Sequence, residues 1–347
     1  MKVFNILLFP FALLLNGITK LRNCLFDKGF ISSVHFDVPI IVVGNLNSGG
    51  SGKTPMVEYL VKILKFQYHI AIISRGYKRS TKGYRVASEK ETATTIGDEP
   101  LQFYRKFGDL VKVAVAELRA EAITKILNQY PETNLIILDD AFQHRYVSSS
   151  LSILLTSYRK PFFSDYLLPY GRLRESRSGA KRADIVVVTK CETEIETMKQ
   201  NEICSVIESY SGVKPIFFAT NKYLEPVSVR GGDQISKNVI LVSGIAEPKY
   251  LVEFMKSKYE LLFHFKFFDH HKYNITNIAN IDSFLKKQKL PCSIITTEKD
   301  MVKLIDDKFR MIVKTWSWFY IPYQHEFLGE NSKFDELIFN SLPISKT

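Results

Sequence analysis

Short apolar runs alternate along the chain with stretches whose apolar residues recur every three or four positions. The runs near 39–44, 69–74, 111–116, 135–139, 150–156 and 184–189 are of strand length. Ile136-Ile137-Leu138 and Ile185-Val186-Val187-Val188 are apolar at every position, the pattern of strands covered on both faces. Between these runs, Met56, Val57, Leu60, Val61 and Leu64 share one helical face, and 117–129 reads as another helix. Strands and helices in alternation predict a mostly parallel α/β sheet with helices on both faces and ligands at the carboxyl ends of its strands. The pattern weakens around 212–235, where Gly231-Gly232-Asp233 signals a turn. Val239-Ile240-Leu241-Val242 and Ser293-Ile294-Ile295 then read as strands of a smaller α/β unit. The expected division is an N-terminal segment over 1–30, a core over 31–215 and a smaller unit over 216–347.

The first residues break the alternation. From Val3 to Leu15 only Asn5 is polar, and Lys2, Lys20, Arg22 and Lys28 flank the run. It is too short to span a bilayer as a helix, Pro10 interrupts it, and no small-residue cleavage site follows Leu15. Two readings fit: a helix lying in a membrane interface with its basic residues near anionic headgroups, or a first helix packed on the core. Phe4, Phe9, Phe11 and the leucines around them favour the membrane.

Composition adds a sign of charge. Lys and Arg number 47 against 36 Asp and Glu, for a formal net charge of +11. That balance favours an anionic partner and does not choose among nucleic acid, an acidic membrane surface and a phosphorylated substrate. Cys24, Cys191, Cys204 and Cys292 are far apart and lack metal-site spacing, so a reducing cytoplasm is expected.

Candidate chemistry starts where the first strand meets the first core helix. Asn47-Ser48-Gly49-Gly50-Ser51-Gly52-Lys53-Thr54 lies between them. Strand, Gly-rich loop and helix in that order is the context of a phosphate-binding P-loop, so the sheet is expected to be of the P-loop NTPase type. Backbone N–H groups of the loop would curl around phosphate oxygens, with the helix N-terminus adding positive dipole. Lys53 would meet the β- and γ-phosphates and the Thr54 hydroxyl would ligate Mg²⁺. Asn47 stands where the strict pattern has Gly, and Asn tolerates positive φ better than most residues.

Further carboxylates and arginines follow. Leu135-Ile136-Ile137-Leu138 ends in Asp139-Asp140, which reads as the Mg²⁺-holding carboxylate of a Walker B strand or as an Asp pair capping a loop. Gln143, His144 and Arg145 then face the same crevice. Gly97-Asp98-Glu99-Pro100 reads as a helix N-cap or as a catalytic carboxylate, and the residue types favour the cap. Pro169 to Arg177 packs Arg172, Arg174 and Arg177 beside Glu175, either to grip phosphate oxygens or as a solvated basic loop. Asp269-His270-His271 lacks a third metal ligand at usual spacing, so a single functional histidine or a helix-start Asp is the better reading. Thr189-Lys190-Cys191-Glu192 has neither the Asn nor the Asp of a guanine-reading Asn-Lys-x-Asp.

Taken together, these stretches resemble the tetraacyldisaccharide 4′-kinase family of lipid A biosynthesis. The matching pieces are Val43 to Leu46 with Gly49 to Pro55, Ser74-Arg75-Gly76-Tyr77, Gly97 to Pro100, Asp139 to Arg145, Gly171 to Glu175, Phe268-Asp269-His270 and Thr297-Glu298-Lys299-Asp300. They stand in the family's order from residue 42 to 300. The family's P-loop also lacks the first Gly; Ala141 departs from its usual Gly. The resemblance implies ATP- and Mg²⁺-dependent phosphorylation of the 4′-hydroxyl of an acylated glucosamine disaccharide 1-phosphate. It implies a lipid rather than nucleic acid as the anionic partner and a peripheral seat on the cytoplasmic face of the inner membrane through the N-terminal helix; separately, a monomer is expected. By position, Asp98 inherits the role of base and His270 that of its partner. Asp139, Asp140 and Glu175 inherit Mg²⁺ or Mg²⁺-water contacts, and Ser74, Arg75, Glu99, Gln143, Arg172 and Arg174 lie beside the substrate. The rival from another class is a P-loop GTPase or ATPase switch that delivers a metal or partner.

Overall fold

The computed structural model describes residues 2–305, 309, 313, 315–329 and 331–343, and of residues 2–7 and 331 the backbone alone. Helix α1 runs over Lys2–Asp27. Strand β1 (Ile40–Asn45) leads through the Gly-rich loop into α2 (Lys53–Leu64), and β2 (Ile70–Ser74) and β3 (Arg85–Val86) follow. Two helices, α3 (Ala93–Ile96) and α4 (Asp98–Phe107), precede β4 (Val111–Val115), α5 (Arg119–Gln129), β5 (Leu135–Asp139) and β6 (Leu151–Ser157). Then come β7 (Ile185–Cys191), α6 (Thr197–Ser211) and β8 (Ile216–Tyr223). The smaller unit holds β9 (Val227–Ser228), β10 (Asn238–Ser243), α7 (Lys249–Lys258), β11 (Glu260–Lys266), α8 (Ile275–Lys286), β12 (Cys292–Thr297), α9 (Glu298–Leu304) and β13 (Trp318–Ile321). The chain returns through β14 (Tyr323–Phe327) to a helix at Asn331–Asn340.

The larger sheet has nine strands in the order β14-β8-β7-β6-β1-β5-β2-β4-β3. Only its two edge strands run antiparallel to their neighbours. Alternate residues of the central strands feed two cores. Ile41, Val43, Ile72, Ile137, Ile153 and Val187 pack with Met56 and Leu60 of α2. Val42, Ile73, Ile136, Leu138 and Val186 pack with Ile123 of α5 and Ile207 of α6. Each such side chain taken from water contributes about 1.5–3 kcal/mol, so central strands apolar at every position fix the layer order. The smaller sheet has five strands, β11-β10-β12-β13-β9, with only β9 antiparallel.

Two expectations change. The boundary expected at residue 215 does not follow strand membership, because β8 and β14 pair with each other inside the larger sheet. The smaller sheet draws its strands from 227–321 and hangs on this adjacent pair, where Leu224 N–H donates to the Pro322 carbonyl at 2.9 Å. Phe217 and Phe327 lie in the core beside α2, a long-range pairing that local apolar patterning does not encode. The second change concerns Pro10, which stands inside α1 without ending it. A proline removes one intrahelical hydrogen bond, and the exposed turn around Pro10 tolerates the loss. Among the described residues no helix is long and apolar enough to cross a membrane. In the apolar run expected from Val3 to Leu15, the side chains of Val3 to Leu7 lie outside the described residues.

Candidate active site

The carboxyl ends of β1, β2 and β5 and the N-termini of α2 and α4 converge on one cleft. Gly52, with φ at +84°, precedes the first residue of α2, and its geometry admits little else. A Cβ there would also lie 2.8 Å from the His325 ring, whose Nε2 sits 2.9 Å from the Gly52 carbonyl. Gly44 meets a second steric limit, since a Cβ on it would stand 2.6 Å from that of Phe142. This close approach draws the segment after β5 over the end of β1. Lys53 Nζ donates to Asn45 Oδ1 at 3.3 Å and lies 3.6 Å from Asp140 Oδ1.

Asp139 and Asp140 are adjacent carboxylates in different electrostatic settings. Burial and the neighbouring Asp140 push Asp139 up to about 7. Its Oδ2 accepts from Ser74 Oγ at 3.1 Å, while its buried Oδ1 has no hydrogen-bond partner. That unpaired oxygen fits a site for Mg²⁺ or an Mg²⁺-bound water. Burial opposes the charge on Asp140 as well, but Lys53 and Arg174 hold its carboxyl below the ordinary range. Arg174 grips it with both nitrogens, at 2.9 and 3.1 Å. Asp140 adopts φ of +48°.

The arginine loop is tied to the P-loop. The Ser48 N–H donates to the Arg172 carbonyl at 2.6 Å, and the Arg174 N–H donates to the Leu46 carbonyl at 2.8 Å. Asn47 is not in the left-handed region; its side chain donates to Asp165 Oδ2 at 2.9 Å. The Asn47 side chain and the Ser48 N–H therefore face the arginine loop. Arg172 pairs with the same Asp165 at 2.9 Å.

Glu175 was expected beside Mg²⁺. It is fully buried, and its carboxylate accepts from Asn23 of α1 at 2.8 Å, Gln143 at 3.1 Å and Arg182 at 2.7 Å. Among the described residues no cluster of three or more His, Cys, Asp or Glu side chains stands ready for a metal. Ser74 is buried beneath Asp139 rather than turned to a substrate, whereas Arg75 is exposed. Gln143 also donates to the Asn45 carbonyl at 2.8 Å. Arg145 leaves the crevice and pairs with Asp27 of α1 at 2.7 Å.

Asp98 differs from the cap expected of it. Gly97 holds the capping position, and Asp98 is the first helical residue of α4. Its Oδ2 lies 3.2 Å from His270 Nδ1, a contact between the two sheets' units that bridges 172 residues of sequence. Burial alone would lift the Asp98 carboxyl, but the hydrogen bond from His270 and the ammonium groups of Lys303 and Lys299 hold it low. Lys303 approaches the same oxygen at 3.5 Å. Glu99, the next residue, pairs with Lys299 at 3.0 Å. His270 takes φ of +59°, with the Tyr77 ring edge-on at 5.3 Å.

Several neighbours have no role assigned from sequence. Lys299 and Lys303 stand four apart on α9, a spacing that puts both ammonium groups on one face. Asn45 closes β1 as a polar residue after an apolar run, a usable signal. Arg119, only 3% exposed, lies close enough to Asp139 and Asp140 for their charges to act on it. His325 carries no local signal at all.

Matches to known proteins agree with this geometry. The family model described as tetraacyldisaccharide-1-P 4′-kinase matches residues 4–343. A tetraacyldisaccharide 4′-kinase from Flavobacterium johnsoniae is 42% identical over 342 residues, covering 96% of each chain. One from Bacteroides thetaiotaomicron is 41% identical over 315 residues, covering 86% of this chain and 82% of its own. The crystal structure of LpxK from Aquifex aeolicus in complex with ATP is 29% identical, with a TM-score of 0.78, over 98% of this chain and all of that one. With the family model matched over residues 4–343 and full-length relatives about 40% identical, the chain belongs to the tetraacyldisaccharide-1-P 4′-kinase family.

Proposed function

We propose that this chain transfers the γ-phosphoryl group of ATP to the 4′-hydroxyl of an acylated glucosamine disaccharide 1-phosphate. The observation that carries the reading is Asp98: a half-buried, ionised carboxylate held by His270, next to the Glu99 whose charge acts on Asp139. An alcohol is a poor nucleophile at neutral pH, and phosphoryl transfer chiefly needs alignment and charge neutralisation. Gly49 to Thr54 cradle the phosphates, and Lys53 supplies positive charge where negative charge develops. Asp98 accepts the proton of the hydroxyl, oriented by His270. Thr54 and Asp139 are the residues to hold Mg²⁺, which neutralises phosphate charge when bound. Asp140, clamped by Lys53 and Arg174, positions that lysine. Glu175 acts at one remove, through Gln143 and Arg182. Arg75, Glu99, Arg172 and Arg174 lie where a phosphorylated substrate is received.

The same reading extends to the membrane. Ala12, Thr19 and Phe26 of α1 are turned inward, while Phe11, Leu14, Ile18 and Leu21 are exposed. A helix apolar on both faces suits a peripheral protein on the cytoplasmic face of the inner membrane, one face on the core and the other in the interface. The three-part division, α1, the P-loop core and the smaller unit, then has a purpose for each part: attachment, nucleotide binding and delivery of His270. We take the chain to act as a monomer, since one chain supplies every residue named.

The test is incubation of the full chain with γ-labelled ATP and the acylated disaccharide 1-phosphate in mixed micelles. Label in the lipid is the expected result. Label released only as free phosphate would favour an NTPase switch and sink the kinase.

A further inference from the structure

The contacts on the far side of His270 carry an inference that rests on the kinase reading above. Lys299 Nζ lies 3.0 Å from His270 Nε2. It also meets Glu99 Oε1 at 3.0 Å and Asp269 Oδ1 at 3.3 Å. An ammonium has three donors and no acceptor, so a ring nitrogen facing it must offer a lone pair. We propose that Lys299 is a positioning residue that fixes His270 in the Nδ1–H tautomer, making the imidazole a hydrogen-bond donor to Asp98 and denying it a role as proton acceptor.

Every charged group around the ring bears on this. Asp98 faces Nδ1, and Glu99 and Asp269 lie 3.7 and 4.0 Å from Nε2. Alone, those last two carboxylates could only accept a hydrogen bond from Nε2–H and would favour the other tautomer. Lys299 stands among them, pairs with both, and presents its own N–H to the ring nitrogen. Burial works against its charge, but Glu99 and Asp269 hold the ammonium more firmly protonated than an ordinary lysine. Lys303 repeats the device on the other partner: it pairs with Asp300 at 2.8 Å and lies near Asp98 Oδ2. His270 and Lys303 thus both approach Oδ2 of Asp98. The proton leaving the sugar hydroxyl goes to Oδ1 and stays on that carboxyl group until product leaves; it does not pass on through the ring.

The arrangement also joins two elements into one device. Asp98 and Glu99 ride on the first turn of α4, while Asp269, His270, Lys299 and Lys303 come from the smaller unit. Lys299 holds Glu99 and His270 with the same ammonium, so the group that sets the tautomer also ties the smaller unit to α4.

Nitrogen-15 spectra of the full chain with labelled histidine test the inference without substrate. The His270 signals are assigned by their loss in His270→Ala. A protonated Nδ1 and an unprotonated Nε2 are expected in the unaltered chain, with that pattern lost in Lys299→Met and kept in Lys299→Arg. Turnover should fall at least about tenfold in Lys299→Met with KM for ATP unchanged, and recover in part in Lys299→Arg. A proton on Nε2 in the unaltered chain overturns the proposal whether or not any variant folds. So does an unchanged turnover in Lys299→Met. A chain that shows the expected spectrum but never labels the lipid would instead sink the kinase reading and leave the tautomer standing.

Discussion

A left-handed backbone is strained for any residue with a side chain, at about 1–2 kcal/mol, and Asp140, Lys190 and His270 all adopt it. Each borders the cleft: Asp140 beside Lys53, His270 beside Asp98, and Lys190 with its ammonium within reach of Gly50. Strain of this kind persists where surrounding contacts over-determine it, and here those contacts are ionic. If Asp98 and His270 form one unit, their losses do not multiply. Asp98→Ala and His270→Ala are each expected to lower turnover by about 10²–10⁴, and the double variant to be scarcely slower than the worse single one. Steady-state kinetics on the three variants decide it, and full multiplication of the two losses would mean independent residues. At this scale the sequence was legible where chemistry dictates spacing. Gly52-Lys53-Thr54 after an apolar strand could be read directly, because phosphate cradling needs that order. At Asp98 residue types alone favour a cap, because its local context is that of a helix start and His270 lies 172 residues away.

Helices α1 and α4 carry the next level of consequence. The exposed stripe of α1 at Leu14, Ile18 and Leu21 repeats at helical spacing, so a triple Leu14→Glu/Ile18→Glu/Leu21→Glu variant places charge where the interface is expected. Its recovery with floated vesicles containing anionic phospholipid should drop at least about tenfold, since each lost side chain forfeits about 1.5–3 kcal/mol of burial. Equal flotation would leave α1 as a core helix alone. Helix α4 holds Asp98 at one end and Lys106 near the other, and Lys106 bridges Glu58 of α2 at 2.6 Å and Glu298 of α9 at 2.8 Å. Glu58 is 2% exposed, and burial pushes its carboxyl up to about 7 even with Lys106 beside it. Removing the cation leaves two buried carboxylates facing one another. Lys106→Met should therefore cost about 3–5 kcal/mol in urea denaturation. Adding Glu58→Gln and Glu298→Gln should restore most of it. Full stability in Lys106→Met alone would mean the cluster is wet and idle. Helices such as α2 and α5 were legible because amphipathic spacing marks a face. The Lys106 cluster was not, since a lysine on a helix reads as solvated until its neighbours in space are known.

For the whole molecule, pH links fold and site through His325. Burial drives this imidazole down to about 4, from an ordinary value of 6.5, while Gly52 and its neighbours surround it. The unfolded chain then binds more protons than the folded one between those values. Stability from this group is full above about 6.5 and is lost as pH falls toward 4, by about 2 kcal/mol at pH 5. His144, also near 4 through burial, acts in the same direction. Glu58 and Asp139, both raised to about 7, act in the opposite one. The gap in stability between the unaltered chain and His325→Gln isolates the single group. It should shrink by about 2 kcal/mol between pH 7.5 and pH 5, measured by denaturation at each, and a constant gap would refute the buried neutral ring. The parallel sheet was legible in sequence from its unbroken apolar strands. Its far edge was not, because β8 and β14 enclose the smaller sheet between them and find each other only in space. That enclosure has a consequence for biosynthesis. His325 follows Gly52 by 273 residues, so at about 5–20 residues per second the ribosome needs roughly a quarter of a minute to a minute to supply it. Throughout that interval the nascent chain carries a P-loop sequence whose last support has not yet been translated. Nucleotide binding in its final form therefore waits on residues far downstream, and a chain stalled anywhere in the smaller unit lacks both the edge strand of its larger sheet and the His325 contact beneath Gly52.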